Sequence, residues 1–166
     1  MPSTSSSQSP LRVLTGPLGV AFAVFVIDLL TKTYFESTYY LGESRPVTSF
    51  FNLVLAHNYG AAFSFLADSG GWQRYFFAAI AIVAVMVCLK LMISHAREKL
   101  FCLALALILG GAIGNLFDRI IYGYVIDFLD FYYGYWHWPA FNIADSAIVL
   151  GAGLLIVDSF LRPRTD

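Results

Sequence analysis

Four long apolar runs divide the chain. They are Leu11–Leu30, with Arg12 at its start, Tyr75–Ile93, Leu100–Phe117 and Ile143–Leu161. Each is close to the ~20 residues that a helix needs to cross the hydrocarbon core of a bilayer. Ala21-Phe22-Ala23 resembles a signal-peptide cleavage site, but the apolar run continues through it, which predicts a retained helix. The stretch 34–73 has a different pattern. Short runs such as Phe50–Leu55 alternate with turn residues, among them Gly42, Pro46, Asn58-Tyr59-Gly60 and Ser69-Gly70-Gly71. That punctuation predicts short strands rather than a span. The expected fold is a mainly α membrane protein, with four transmembrane helices and a small extracytoplasmic β-sheet segment over 34–73. The sheet would rest on the bilayer, with Trp72 and Tyr75 at headgroup level. Ala61–Leu66 reads as a short amphipathic piece in the interface, and Phe131–Phe141 as an aromatic loop. Residues 1–10, rich in Ser and Pro, read as a disordered tail. Residues 11–166 read as a single polytopic membrane domain.

Composition supports the membrane reading: 58% of residues are apolar and 13% charged, too apolar a balance for an ordinary soluble domain. A net charge of −1 offers no basic field for nucleic acid. Cys88 and Cys102 lie inside apolar runs and read as buried thiols. His57, His95 and His137 are too scattered for a zinc site, so no metal is expected. In a four-span arrangement Arg12, Lys90, Arg97, Lys99, Arg162 and Arg164 share one side. Lys90 is placed to snorkel outward. Arg45 and Arg74 fall on the other side, with Lys32 and Arg119, so the positive-inside bias is modest; it puts both termini in the cytoplasm, and the sheet and the 118–145 region outside.

Carboxylates at a bilayer edge need pairing, hydration or protonation, which makes them functional candidates. Asp28 and Lys32 stand at i and i+4, as either an anchoring interfacial ion pair or support for a site. Asn115, Asp118 and Arg119 share a helix face, as a polar cap or as part of that site. Asp127 sits in the apolar string Val125-Ile126-Asp127-Phe128, where burial raises a carboxyl pKa. Asn142 and Asp145 have capping-box spacing, so Asp145 could start a helix and still face a site. Two neighbouring aspartates cannot comfortably both ionise; holding one proton between them, they supply a base and an acid for peptide hydrolysis. That chemistry points to an intramembrane aspartyl protease. Asp130 lies three residues after Asp127, and composition does not choose between them. No HExxH helix is present. Lys32 with Ser64 or Ser146 could form a serine-based alternative, without support from spacing. A small proton-coupled carrier using Asp28, Asp118 and Asp145, or a non-enzymatic scaffold, are the rival classes; neither broken helices nor a repeat supports the carrier.

The motifs Asp28-Leu29-Leu30-Thr31-Lys32, Asn58-Tyr59-Gly60-Ala61-Ala62-Phe63-Ser64, Gly110 to Arg119, Val125-Ile126-Asp127-Phe128 and Phe141 to Ser146 occur in an order that resembles the bacterial signal peptidase II family, the lipoprotein signal peptidases. The resemblance runs from the first span to the last. It implies catalytic aspartates at Asp127 and Asp145, and support from Asp28, Lys32, Asn58, Gly60, Asn115, Asp118, Arg119 and Asn142. It further implies cleavage of diacylglyceryl-modified prolipoproteins just before the lipidated cysteine, in the inner membrane of a bacterium. Membrane lipid and globomycin-type peptide inhibitors would be further partners. Leu29 departs from the polar residue that relatives often carry there, while Asp28 and Lys32 keep their spacing.

Overall fold

The computed structural model describes residues 10–60 and 71–161. Residues 1–9 of the expected tail, the Ala61–Leu66 piece, Ser64, Arg162 and Arg164 lie outside the described residues, while Pro10, expected in the tail, instead begins the first helix. Four helices carry the chain: α1 (Pro10–Thr38), α2 (Gln73–Ser94), α3 (Lys99–Ile121) and α4 (Ile143–Leu161). All four are long and apolar enough to cross a membrane. α3 is the most buried of them and packs against the other three. Small residues make that possible. A side chain at Gly110 would strike Ala21 and Val24 of α1, and one at Gly111 would strike the Ala144 carbonyl and Ile148 of α4. Close approach of this kind is what small residues provide where no hydrophobic force drives helices together. Leu14, Ala21, Met92, Leu105 and Leu109 fill the core between the spans, with Cys88 and Cys102 as buried free thiols.

α1 continues eight residues past the predicted end of its apolar run. Its polar residues there do not break it. The Thr31 hydroxyl donates to the Ile27 carbonyl at 2.8 Å and the Thr33 hydroxyl to the Leu29 carbonyl at 2.7 Å. Hydroxyls that bond back to their own helix satisfy themselves without water. The sheet segment expected over 34–73 therefore starts only at Ser44.

That sheet is antiparallel and four-stranded, in the order β1 (Ser44–Thr48), β2 (Phe51–Asn58), β3 (Val125–Tyr133) and β4 (Trp136–His137). Half of it comes from the α3–α4 connection, where an aromatic loop was expected. Val-Ile-Asp-Phe-Leu-Asp-Phe-Tyr-Tyr has the β-branched and aromatic content of a strand; its two aspartates interrupt the apolar pattern that would have announced one. β2 holds one extra residue between Leu53 and Ala56, so the pairing with β3 shifts by one there. Beneath the sheet, Phe35 stacks on Phe128 at 4.3 Å, with Tyr39, Leu55 and Ile126 around them. This second core ties the last turns of α1 to β3 and closes one end of the bundle.

Candidate active site

The polar residues singled out in the sequence converge at that end. Lys32, on α1, is only 1% exposed and its ammonium meets three oxygens: Asp28 Oδ2 at 2.7 Å, Asp118 Oδ2 at 2.9 Å and Asn115 Oδ1 at 2.9 Å. Asp28 and Asp118 are equally buried. The Asp28–Lys32 pair is thus not an interfacial anchor but the centre of a closed network. A lone buried ion pair gains little over apolar packing; here the leftover lone pairs are used. Asp28 Oδ1 accepts the Ala144 N–H at the start of α4 at 2.9 Å, where the helix dipole favours an anion. Asp118 Oδ2 accepts the Ile126 N–H at 3.2 Å. α1, α3, β3 and α4 are thereby joined around one cation. Gly114 leaves room for Asp28 to enter, since a Cβ there would overlap its carboxylate.

Asparagines carry the network forward. Asn115, on α3, accepts from Lys32 and donates its Nδ2 to Asp145 Oδ1 at 2.7 Å. Asn142, fully buried, points its Nδ2 at Asp127 Oδ1 at 2.7 Å, and also at Asn115 Oδ1 at 3.1 Å and the Ile126 carbonyl at 3.2 Å. Its own oxygen accepts the Asp145 N–H at 2.9 Å, while Asp145 Oδ2 accepts the Asn142 N–H at 3.3 Å. This is the reciprocal capping box expected from the spacing. Asp145 therefore starts α4 and reaches the site with the same side chain.

Asp127 is 2% exposed. Its second oxygen accepts from Asn58 Nδ2 at 3.0 Å, and Asn58 Oδ1 in turn accepts the Gly60 N–H at 3.0 Å. Burial pushes the Asp127 carboxyl up to about 7, and the charge of Asp145 adds to the rise; Asn58, Lys32 and Asn142 pull it partly back. Two carboxylates held in one asparagine frame, with one of them titrating near neutrality, can accept a proton and deliver one. Arg119 Nη1 donates to the Asn115 carbonyl at 3.2 Å, and its guanidinium lies 5.4 Å from the Phe77 ring centre. It does not bridge to Asp118, whose partner is Lys32.

Asp130 turns elsewhere. It accepts from Asn52 Nδ2 at 2.8 Å and lies 2.9 Å from His137 Nδ1. A three-residue separation on a strand sends two side chains to opposite faces. Among the described residues, no group of His, Cys, Asp and Glu has metal-ligating geometry.

A cleft of about 750 Å³ opens onto this cluster. Asp145, Asn58, Asn115 and Arg119 form its polar wall, and Trp138, Phe141, Val149 and Leu150 much of the apolar one. Trp138 and Phe141 come from the aromatic-rich stretch 131–141, whose rings are placed to frame a groove, whereas Val149 and Leu150 carried no sequence signal as a site, because each reads alone as part of a span.

Comparison with known proteins agrees with this arrangement. The family model described as "Signal peptidase (SPase) II" matches residues 20–161. The lipoprotein signal peptidase of Cupriavidus taiwanensis is 54% identical over 170 residues, covering 97% of both chains. That of Cupriavidus pinatubonensis is 58% identical over 149 residues, covering 89% of this chain and 85% of its own. A solved bacterial membrane enzyme, determined by the in meso method at 2.3 Å, superposes with a TM-score of 0.79 at 31% identity, covering 91% of this chain and 93% of that one. A match over most of the chain, at these identities and with the same fold, means that this protein belongs to the signal peptidase II family and is a membrane protease of the lipoprotein signal peptidase kind.

Proposed function

We propose that the protein is an aspartyl endopeptidase that removes the signal peptide from diacylglyceryl-modified prolipoproteins, with Asp127 and Asp145 as the catalytic pair. One observation carries the reading: Asn142 bonds to both aspartates, at 2.7 Å to Asp127 and 2.9 Å to the Asp145 N–H, while burial and the Asp145 charge push Asp127 up to about 7. Near neutral pH such a pair holds one proton, and its titration belongs to both groups. The ionised member takes a proton from water, whose oxygen attacks the scissile carbonyl. The protonated member hydrogen-bonds the carbonyl oxygen, and a proton then passes to the departing amine as the C–N bond breaks. No step requires a metal or an organic cofactor.

The other residues have supporting roles. Asn58, Asn115 and Asn142 orient the carboxylates. Asp28, Lys32 and Asp118 lock the helices behind them, Gly60 fixes the turn at Asn58, and Arg119 supplies positive charge at the cleft. The cleft's apolar wall suits a substrate carrying acyl chains beside its cleavage site, cut just before the lipidated cysteine. Peptide inhibitors of the globomycin type would compete for the same cleft. Residues 11–166 act as one polytopic domain in the inner membrane, with both termini cytoplasmic and the cleft at the outer face, where the attached lipid would hold the scissile bond in place. The test is incubation of the purified protein with a diacylglyceryl-modified prolipoprotein and with its unlipidated form. Cleavage before the cysteine of the lipidated form alone supports the reading; equal cleavage of both, or cleavage elsewhere, overturns it.

A further inference from the structure

The connection between α3 and α4 exposes a set of aromatic side chains that the catalytic cluster does not use. β3 and β4 form a hairpin in which Tyr133 pairs with Trp136 across a two-residue turn, with Gly134 at φ +61°. At its tip Tyr135 is fully exposed, Tyr133 is 86% exposed and Trp136 58%. Phe50, from the β1–β2 turn, and Phe131 extend the patch and line a shallow apolar groove with it. From Phe131 to Phe141 there is no Asp, Glu, Lys or Arg. So large an exposed apolar surface marks a contact site.

The hairpin is held stiffly. The Trp138 N–H donates to the Phe131 carbonyl at 2.8 Å, His137 stacks on Tyr132 at 5.2 Å, and His137 Nδ1 lies 2.9 Å from the buried Asp130. Asp130 thus has a structural task, and the exposed rings are presented without the ordering cost that a loose loop would carry.

We infer that the β3–β4 hairpin is a lipid-contacting surface, which sets Tyr133, Tyr135 and Trp136 into the headgroup region of the bilayer beside the cleft. Three observations choose lipid. First, the patch is continuous with the membrane-facing bundle. Trp138, at the hairpin base, lines the cleft together with Val149 and Leu150, exposed residues of α4. These lie six and seven residues into that helix, about 9–11 Å along its axis at ~1.5 Å per residue. The hairpin base therefore hangs beside a stretch that faces acyl chains. Second, Tyr and Trp are the side chains whose apolar body and polar edge suit the membrane interface. Third, the absence of charge removes the cost of bringing the segment to that depth. The inference rests on the four spans, not on which aspartates catalyse.

The experiment attaches an environment-sensitive fluorophore to Tyr135→Cys, and separately to Tyr133→Cys, in the full chain reconstituted into phosphatidylethanolamine–phosphatidylglycerol vesicles. Cys88 and Cys102 are buried, and the parent protein sets the labelling background. Val149→Cys serves as the deep reference. Contact with lipid gives blue-shifted emission from both hairpin probes, with nitroxides near the headgroup quenching several-fold more than nitroxides deep in the chain, the reverse of Val149→Cys. Water-like emission at both positions, quenched by aqueous iodide and not by lipid nitroxides while Val149→Cys is quenched, overturns the inference. So does a blue shift that appears only when other membrane proteins are added, because the patch would then be a protein-docking site.

Discussion

Asn142 Nδ2 stands 2.7 Å from Asp127 Oδ1, and both groups are almost wholly shielded from solvent. Asn142→Ala leaves a buried carboxylate short of a donor and unties the α4 cap from β3. An unsatisfied buried group costs about 1–3 kcal/mol, and ~1.4 kcal/mol of lost transition-state stabilisation is a factor of ten in rate. Asn142→Ala is expected to lower kcat at least about tenfold with little change in KM, measured by cleavage of a lipidated substrate. A variant with full kcat would remove Asn142 from the catalytic frame.

Asp127→Asn and Asp145→Asn keep shape but cannot act as base, and each should lower kcat/KM by ~10²–10⁴, the usual worth of general acid–base groups. The double variant should be hardly worse than either single one, because the residues act as a unit. Asp130→Asn should retain much of the activity, since Asp130 meets Asn52 and His137 instead. An inactive Asp130→Asn beside a normal Asp127→Asn would reverse the assignment.

Asp127 also predicts a dependence on pH. Its folded pKa, about 7, stands above the ordinary 3.8, so the folded protein binds the proton more tightly than the unfolded chain. Ionising Asp127 therefore costs stability as pH rises from about 4, and the cost is complete above about 7. Asp127→Asn should unfold at the same temperature as the parent at pH 4 and at a higher one at pH 8, measured in detergent. Activity should fall as pH rises through about 7 and the shared proton is lost. Equal unfolding temperatures at both pH values would contradict the burial of an ionisable Asp127.

Lys32→Met strands Asp28 and Asp118 without their cation. Removing one partner of a buried ion network costs ~3–5 kcal/mol, so a large drop in unfolding temperature is expected even with inhibitor absent. Lys32→Arg should not restore stability, because a planar fork cannot meet three acceptors arranged around a point charge. A Lys32→Met protein as stable as the parent would show that the network is not what joins α1 to α3.

Orientation can be read with Arg45→Cys in β1 and Arg97→Cys in the α2–α3 turn, both at exposed positions. A membrane-impermeant thiol reagent added to intact cells should label the first and not the second. The opposite pattern would turn the cleft towards the cytoplasm.

The spans were legible because nothing but a bilayer explains four such apolar runs, and the capping box because Asn142 and Asp145 are close in sequence. The depth of Lys32 was not legible: its oxygen partners besides Asp28 come from a helix some 80 residues away and no local pattern announces them. The strand β3 is not announced in the sequence, where only its end, Phe131–Tyr133, falls in the stretch that reads as aromatic loop, because Asp127 and Asp130 break the alternation on which strand reading depends. The partner strand helps both to be tolerated there, through Asn58 and Asn52, alongside Asn142 at Asp127 and His137 at Asp130.

That partner strand depends on parity. Directly opposed residues of an antiparallel pair share a face, and each step along a strand changes face. Asn52 opposes Asp130, and beyond the extra residue Ala56 opposes Asp127, so Asn58, two positions on from Ala56, shares the face of Asp127. Paired one to one, with no residue bulged out, Leu55 would oppose Asp127, and Asn58 would turn to the other side. Asp127 and Asp130 are an odd number of residues apart, Asn52 and Asn58 an even number; one inserted residue reconciles the two counts. The strand therefore encodes chemistry in its register as well as its letters. Deleting a single residue at Val54 or Leu55 would leave a regular ladder in which Ala56 still opposes Asp127, whereas drawing the bulged residue into the ladder with every residue kept would turn Asn58 away from Asp127.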